Sequence, residues 1–189
     1  LVEKYYSRHN SCGERVKYEW GKITDKKVEQ TREKVLKLLK LSSRKYTTSF
    51  TLNTTYGINL ILSQLDAKKF KKIMTSEIEH NSPFLASLAF SETTGLPREL
   101  MKRNEDGSIN IADYDFKKAI VVVNCAANFD GRKLKNIKEL TKAIHKAGGI
   151  IIIDAAQAMA HSSDILKGVE VDAICFSAHK LYAPSLGVI

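Results

Sequence analysis

Two apolar runs in the chain stop abruptly on residues that could do chemistry. Residues 150–153 are four consecutive isoleucines, and they end at Asp154, with Gln157 three residues on. Residues 171–176 form a second run, which gives way to Ser177-Ala178-His179-Lys180. A segment with no polar face reads as a strand buried on both sides, the kind found in parallel sheets. In open α/β sheets the carboxyl ends of such strands line the ligand crevice. The spacing therefore brings a carboxylate and a lysine to the rim of one core.

A lysine at such a rim loses part of its solvation, and its free amine becomes a nucleophile toward an aldehyde. An ionised carboxylate there needs a cation, and a protonated pyridine nitrogen is one. Together they point to pyridoxal 5′-phosphate, with Lys180 in a Schiff base to its aldehyde and Asp154 on its ring nitrogen. Spacing alone leaves a plainer reading open, with Asp154 capping the segment after its strand and Lys180 on the surface.

Three stretches upstream could serve the same crevice. A strand expected over 46–51 runs through Asn53-Thr54-Thr55 into a helix ending near Leu65. A hydroxyl-rich turn into a helix offers free N–H groups and a positive dipole end to a phosphate, or it simply caps the helix. His80 follows a short strand expected over 70–75 and precedes a helix, with Pro83 in its first turn and Ser82 as cap. On its own, such a histidine serves as well for capping or for the surface. Asn124 ends a third buried run, residues 119–124.

Asp154-Ala155-Ala156-Gln157 combined with Ser177-Ala178-His179-Lys180 resembles aminotransferase class V among the fold-type I pyridoxal-phosphate enzymes. The nearest branch is that of the cysteine desulfurases and selenocysteine lyases, and the likeness continues more thinly from Tyr5 to the last residue. The resemblance implies that His80 lies flat on the cofactor ring and that Asn124 sits near its phenolic oxygen and the substrate carboxylate. It implies that Gln157 bonds the phenolic oxygen and that Thr54, Thr55, Ser177 and His179 hold the phosphate. Lys180, His80 and Asp154 become the catalytic groups, acting on a small amino acid. Asn53 stands where the family has glycine, and asparagine tolerates left-handed geometry. The family also implies a homodimer, a sulfur-acceptor protein as partner, and a smaller C-terminal domain beyond residue 189 with the substrate-carboxylate arginine and any persulfide cysteine. Arg8, His9 and Arg15 do not match its spacing and receive no role. An aminotransferase, a kynureninase or an epimerase would use the same Asp154 and Lys180. A catalytically inactive basic binding module is the reading from another class, against which stand Asp154, Gln157, His80 and Lys180 together.

The elements that must position these groups alternate between strand and helix. That alternation predicts a three-layer α/β/α domain around a mostly parallel sheet, and the resemblance implies that it is the large domain of the fold-type I enzymes. Residues 1–20 read as a surface loop, and 21–189 as the cofactor-binding domain. A helix is expected from Thr24 to about Leu41, with Val28, Val35, Leu36, Leu38 and Leu39 as its apolar stripe. A polar connection is expected over 90–117, with a short strand at 99–102. A helix over 137–147 should stop at Gly148-Gly149, and the last residues, 187–189, read as strand.

Bulk numbers narrow the class. A hydrophobic content of 43% with three prolines argues against disorder. No apolar run approaches the ~20 residues of a membrane span, and Leu1-Val2-Glu3-Lys4 does not read as a signal peptide. The net charge of +9 comes from lysines scattered along helices, which reads as solvated helix faces and not as a nucleic-acid surface. Cys12, Cys125 and Cys175 are far apart and odd in number, which fits the reducing cytoplasm and gives no metal-ligand spacing.

Overall fold

A computed structural model describes residues 2–13 and 17–189, so Arg15 lies outside the described residues. It divides into two compact units, Leu1–Thr48 and Ser49–Ile189. In the first, the expected N-terminal loop is partly helical: α1 spans Val2–Arg8, and His9 N–H still bonds Tyr5 O at 3.0 Å. Arg8 is thus a helix residue, and Cys12 is exposed.

Helix α2, Glu19–Leu39, starts five residues before Thr24, because nothing in Glu19-Trp20-Gly21 prevents helix formation. Leu36 and Leu39 are buried and Val28 and Val35 half-buried, one stripe at helical spacing. Leu38 falls off that stripe and is exposed. The helix stops when Lys40 turns left-handed at φ 54°, its N–H still reaching the last carbonyls.

The second unit carries a seven-stranded sheet: β1 (Phe50–Thr51), β2 (Lys72–Ser76), β3 (Arg98–Met101), β4 (Ala119–Asn124), β5 (Ile150–Asp154), β6 (Ala173–Ser177) and β7 (Gly187–Val188). Their order is β1-β7-β6-β5-β4-β2-β3. The pairs among β3, β2, β4, β5 and β6 are parallel, whereas β7 runs antiparallel to both β6 and β1. The strand expected over 46–51 is two residues long, Phe50 and Thr51, which pair with Val188 and Gly187 of β7.

Helices α3 (Thr54–Gln64), α4 (Asn81–Thr94) and α5 (Ile137–Lys146) connect the strands, with a single turn, α6, at Ala158–His161. Helix α4 runs further than the sequence shows and ends where Gly95 adopts φ 74°, so the polar connection begins there. Ile58 and Leu62 of α3 and Ala86 and Phe90 of α4 pack on Ile73, Ile120, Val122, Ile152 and Cys175. Because side chains alternate along a strand, Val121, Val123, Ile151 and Ile153 face the other way. They too are fully buried, and α5 packs against β5. The sheet is therefore covered on both faces, as a three-layer α/β/α domain requires.

Four neighbouring parallel strands each finish on a polar residue at the same edge: Ser76, Asn124, Asp154 and Ser177. All four are buried. The β2–β4 ladder stops at Met74–Val121, and side chains continue it. Thr75 Oγ1 donates to Val122 O at 2.7 Å, and Asn124 N–H donates to Glu79 Oε2 at 2.6 Å. The other oxygen of Glu79 accepts from Ser76 Oγ. Glu79 thus ties two strand ends that have begun to part.

Burial pushes the Glu79 carboxyl from 4.5 up to about 7, against the pull of Ser76, Arg103 and the Asn124 N–H. In the unfolded chain the group ionises near 4.5, so between 4.5 and 7 the folded state holds a proton that the unfolded state has released. Stability should therefore fall as pH rises through that window and level off above it. Thermal melting of the full-length protein against Glu79→Gln measures this. The wild type should lose ground to the variant from pH 4.5 to 7, whereas a pH-independent gap would mean an ordinary carboxylate.

Candidate active site

Asp154 is the last residue of β5, 4% exposed, with Ala155 and Ile151, Ile152 and Ile153 before it buried. Its Oδ1 accepts from Ala156 N–H at 2.9 Å. Among the described residues no cation forms an ion pair with it. Burial raises its carboxyl above the ordinary range, while the Ala156 N–H and the charges of His80 and Lys180 pull it back. A carboxylate this buried calls for a positive partner in the space in front of it.

On the next strand, Ser177 ends β6 and a 3-10 turn, Ala178–Leu181, carries His179 and Lys180. The turn closes at Tyr182, held left-handed at φ 59°. Lys180 is half-buried and His179 exposed, and neither side chain is hydrogen-bonded within the described chain.

The turn into α3 leaves one donor free. Of its first four N–H groups, Thr54 N–H goes to Ser177 Oγ at 2.9 Å, Tyr56 N–H to the Asn53 side chain at 2.8 Å, and Gly57 N–H to Asn53 O at 3.0 Å. Thr55 N–H has no partner among the described residues. Thr54 Oγ1 also meets Ser177 Oγ at 2.7 Å, so α3 and β6 are joined at the site. Asn53 works as the helix cap in an extended conformation, φ −168°, so the tolerance of asparagine for left-handed geometry is not used there. Backbone crowding demands small neighbours: a Cβ on Gly187 would lie 2.5 Å from Asn53 N and still closer to Thr51 Oγ1.

His80, not Ser82, caps α4. Its Nδ1 accepts from Ser82 N–H at 3.1 Å, because His80 itself occupies the cap position and Ser82 falls two residues inside. Asn124 donates its side-chain N–H to Ile78 O at 3.0 Å, and its backbone carbonyl accepts from the buried Arg103 at 3.2 Å. Its Oδ1 is buried without a partner among the described residues.

These groups surround one cavity of about 270 Å³. Thr54, Thr55, His80, Asn124, Asp154, Gln157, Ser177, His179 and Lys180 all line it. So do Asn53, Ser82, Ala126, Asn128 and Ala156, which sequence reasoning did not place there. Ala126 and Ala156 lie two residues past a polar strand end, a signal that was readable. Asn128 sits in an irregular loop and had none. Cys125 and Cys175 are buried, and burial raises both thiols well above the usual range, so neither is a nucleophile here. Among the described residues no cluster could hold a metal ion.

The donor set fits pyridoxal 5′-phosphate. A buried carboxylate without a cation, an orphaned amide oxygen, a helix N-terminus with a free N–H, and an unbonded lysine face one cavity. Each is a group that a phosphorylated, protonated pyridine aldehyde would satisfy.

The sequence profile of the Aminotransferase class-V family matches residues 1–189. A probable cysteine desulfurase of Pyrococcus abyssi is 28% identical over 184 residues, which cover 95% of this chain and 45% of that protein. Another, from Pasteurella multocida, is 31% identical over 169 residues, 85% of this chain and 40% of that one. The apo structure of a cysteine desulfurase from Thermococcus onnurineus matches with a TM-score of 0.85 at 25% identity, over 99% of this chain and 48% of that chain. The chain spans about half the length of the curated relatives it matches. Members of the family use pyridoxal 5′-phosphate. With the profile matching from first residue to last on a fold-type I sheet, the chain belongs to the aminotransferase class V family.

Proposed function

We propose that the full-length protein is a pyridoxal-phosphate-dependent cysteine desulfurase that converts L-cysteine, or L-selenocysteine, to alanine and releases the chalcogen. The observation that carries this reading is the cation-seeking Asp154 facing the same cavity as Lys180, in a chain whose curated relatives are named cysteine desulfurases. In this reading residues 21–189 supply the cofactor-binding domain of a homodimer in the reducing cytoplasm, where free cysteines persist, and an acceptor protein takes the released sulfur.

When bound, the cofactor supplies an electron sink for the substrate α-carbon. Asp154 holds the ring nitrogen protonated. Thr55 N–H, with the Thr54, Ser177 and His179 side chains around it, holds the phosphate at the α3 N-terminus. Asn124 and Gln157 orient the phenolic edge. His80, which lines the cavity wall, would cover the ring. Lys180 would hold the aldehyde in the resting enzyme and would move the substrate α-proton at its Nζ.

The covalent anchor is testable directly. Borohydride treatment of the holoenzyme should leave a pyridoxyl group on Lys180, located by mass spectrometry. An adduct on another lysine would remove Lys180 from the mechanism.

Asp154→Asn keeps the shape and removes the charge. With the cofactor still bound, turnover should drop about a thousand-fold, which is roughly 4 kcal/mol of transition-state stabilisation. Normal turnover would reduce Asp154 to a strand-end cap.

The reaction is tested by product. The full-length enzyme should form alanine from L-cysteine without a keto-acid acceptor. Alanine appearing only with a keto acid, or cleavage of L-kynurenine instead, would leave the cofactor assignment standing and end the desulfurase reading.

A further inference from the structure

Ser82 joins two walls of the cavity. It is nine-tenths buried, and its hydroxyl oxygen lies 2.6 Å from Thr55 Oγ1 on the α3 turn and 2.9 Å from His80 Nδ1. Its backbone N–H also points at Nδ1, at 3.1 Å. A backbone N–H can only donate, so Nδ1 must present a lone pair and carry no proton. In a neutral imidazole the proton then sits on Nε2, the nitrogen on the ring edge away from the start of α4.

We infer that Ser82 is a positioning residue that locks His80 in the Nε2–H tautomer, so that the histidine meets the occupant of the cavity as a hydrogen-bond donor at Nε2 and not as a base. Protonating Nδ1 would set it against the Ser82 N–H, donor to donor, and so requires the ring to leave its cap. The helix benefits from the same contact, since the N–H at its second position is satisfied only while Nδ1 stays bare. Thr55 and Ser82 extend the lock: the two hydroxyls bond each other, so the histidine's orientation is tied to the turn that carries the free Thr55 N–H. The charged or titratable groups that share the cavity with His80 are Asp154, His179 and Lys180, and Glu79 precedes it in the chain. Asp154 attracts a charge on His80, yet the cap geometry leaves only Nε2 to carry a proton.

The part this histidine plays in turnover rests on the proposed pyridoxal-phosphate chemistry; its tautomer does not. Selective 15N labelling of the histidine side chains in the full-length protein, with and without pyridoxal 5′-phosphate, reads it, and His80→Asn identifies the resonances. The expected spectrum at neutral pH shows a bare Nδ1 and a protonated Nε2. Ser82→Ala should shift the Nδ1 resonance and lower kcat about ten-fold with KM unchanged, since the imidazole is less well held. Ser82→Thr, which keeps the hydroxyl and the N–H, should restore both. A proton on Nδ1 in the wild type overturns the inference, as does an unchanged Ser82→Ala spectrum. Should the alanine variant fail to fold, the wild-type tautomer decides alone. Failure to bind the cofactor would sink the proposed function and leave this reading intact, because the resonances are observed either way.

Discussion

A carboxylate buried at the end of an isoleucine strand governs this domain. Asp154 is 4% exposed, and the one hydrogen bond its side chain makes within the described chain comes from the Ala156 N–H. Burial on that scale favours the neutral acid, and removing a lone charge from water costs several kcal/mol when nothing opposite faces it. The chain tolerates the position because Lys180 and His80 sit across the cavity and because the space before Asp154 can admit a cation. A stable apolar residue in its place would pack with the isoleucines and leave the cavity without a reason to bind one.

The same logic extends along the sheet edge. Ser76, Asn124, Asp154 and Ser177 end neighbouring parallel strands, so every strand changes from apolar to polar at one boundary. Parallel pairing is what aligns those boundaries: Asn124 is registered with Asp154, and Asp154 with Cys175, two residues before Ser177 begins the turn to Lys180. In an antiparallel sheet these ends would alternate between opposite edges. Helix N-termini then arrive at the same edge, α3 capped by Asn53 and α4 by His80. His80 therefore does two things at once, since its Nδ1 closes a helix while its side chain helps to line the cavity.

Glu79 and Arg103 form a support behind this row that no pattern in the sequence announces. Glu79 accepts the Asn124 N–H and the buried Arg103 donates to the Asn124 carbonyl, so the peptide groups on either side of Asn124 are held. The acid reaches from the loop after β2 and the arginine from just beyond β3, the neighbouring strand at the sheet edge.

Local pattern determined a great deal. The runs at 119–124 and 150–154 are strands to the residue, because uninterrupted β-branched residues leave no helical face and no polar side. Their polar ends, the Ser-Ala-His-Lys turn and the two-threonine turn were legible for the same reason: each interrupts an apolar run at a place where the parallel sheet opens. What only the tertiary structure decided is pairing. Of residues 46–51, the ones that become strand are Phe50 and Thr51, which find partners in Val188 and Gly187, far away in the chain. The helix at Val2–Arg8 and the early start of α2 carry no strong cap or breaker, so local signals could not draw their boundaries. The capping role of His80, the commitment of Thr54 to Ser177 and the burial of Glu79 all join residues far apart in the chain or reverse a local preference. Sequence states which groups are available; the competition among them for a limited set of backbone and side-chain partners is settled only when the chain is folded.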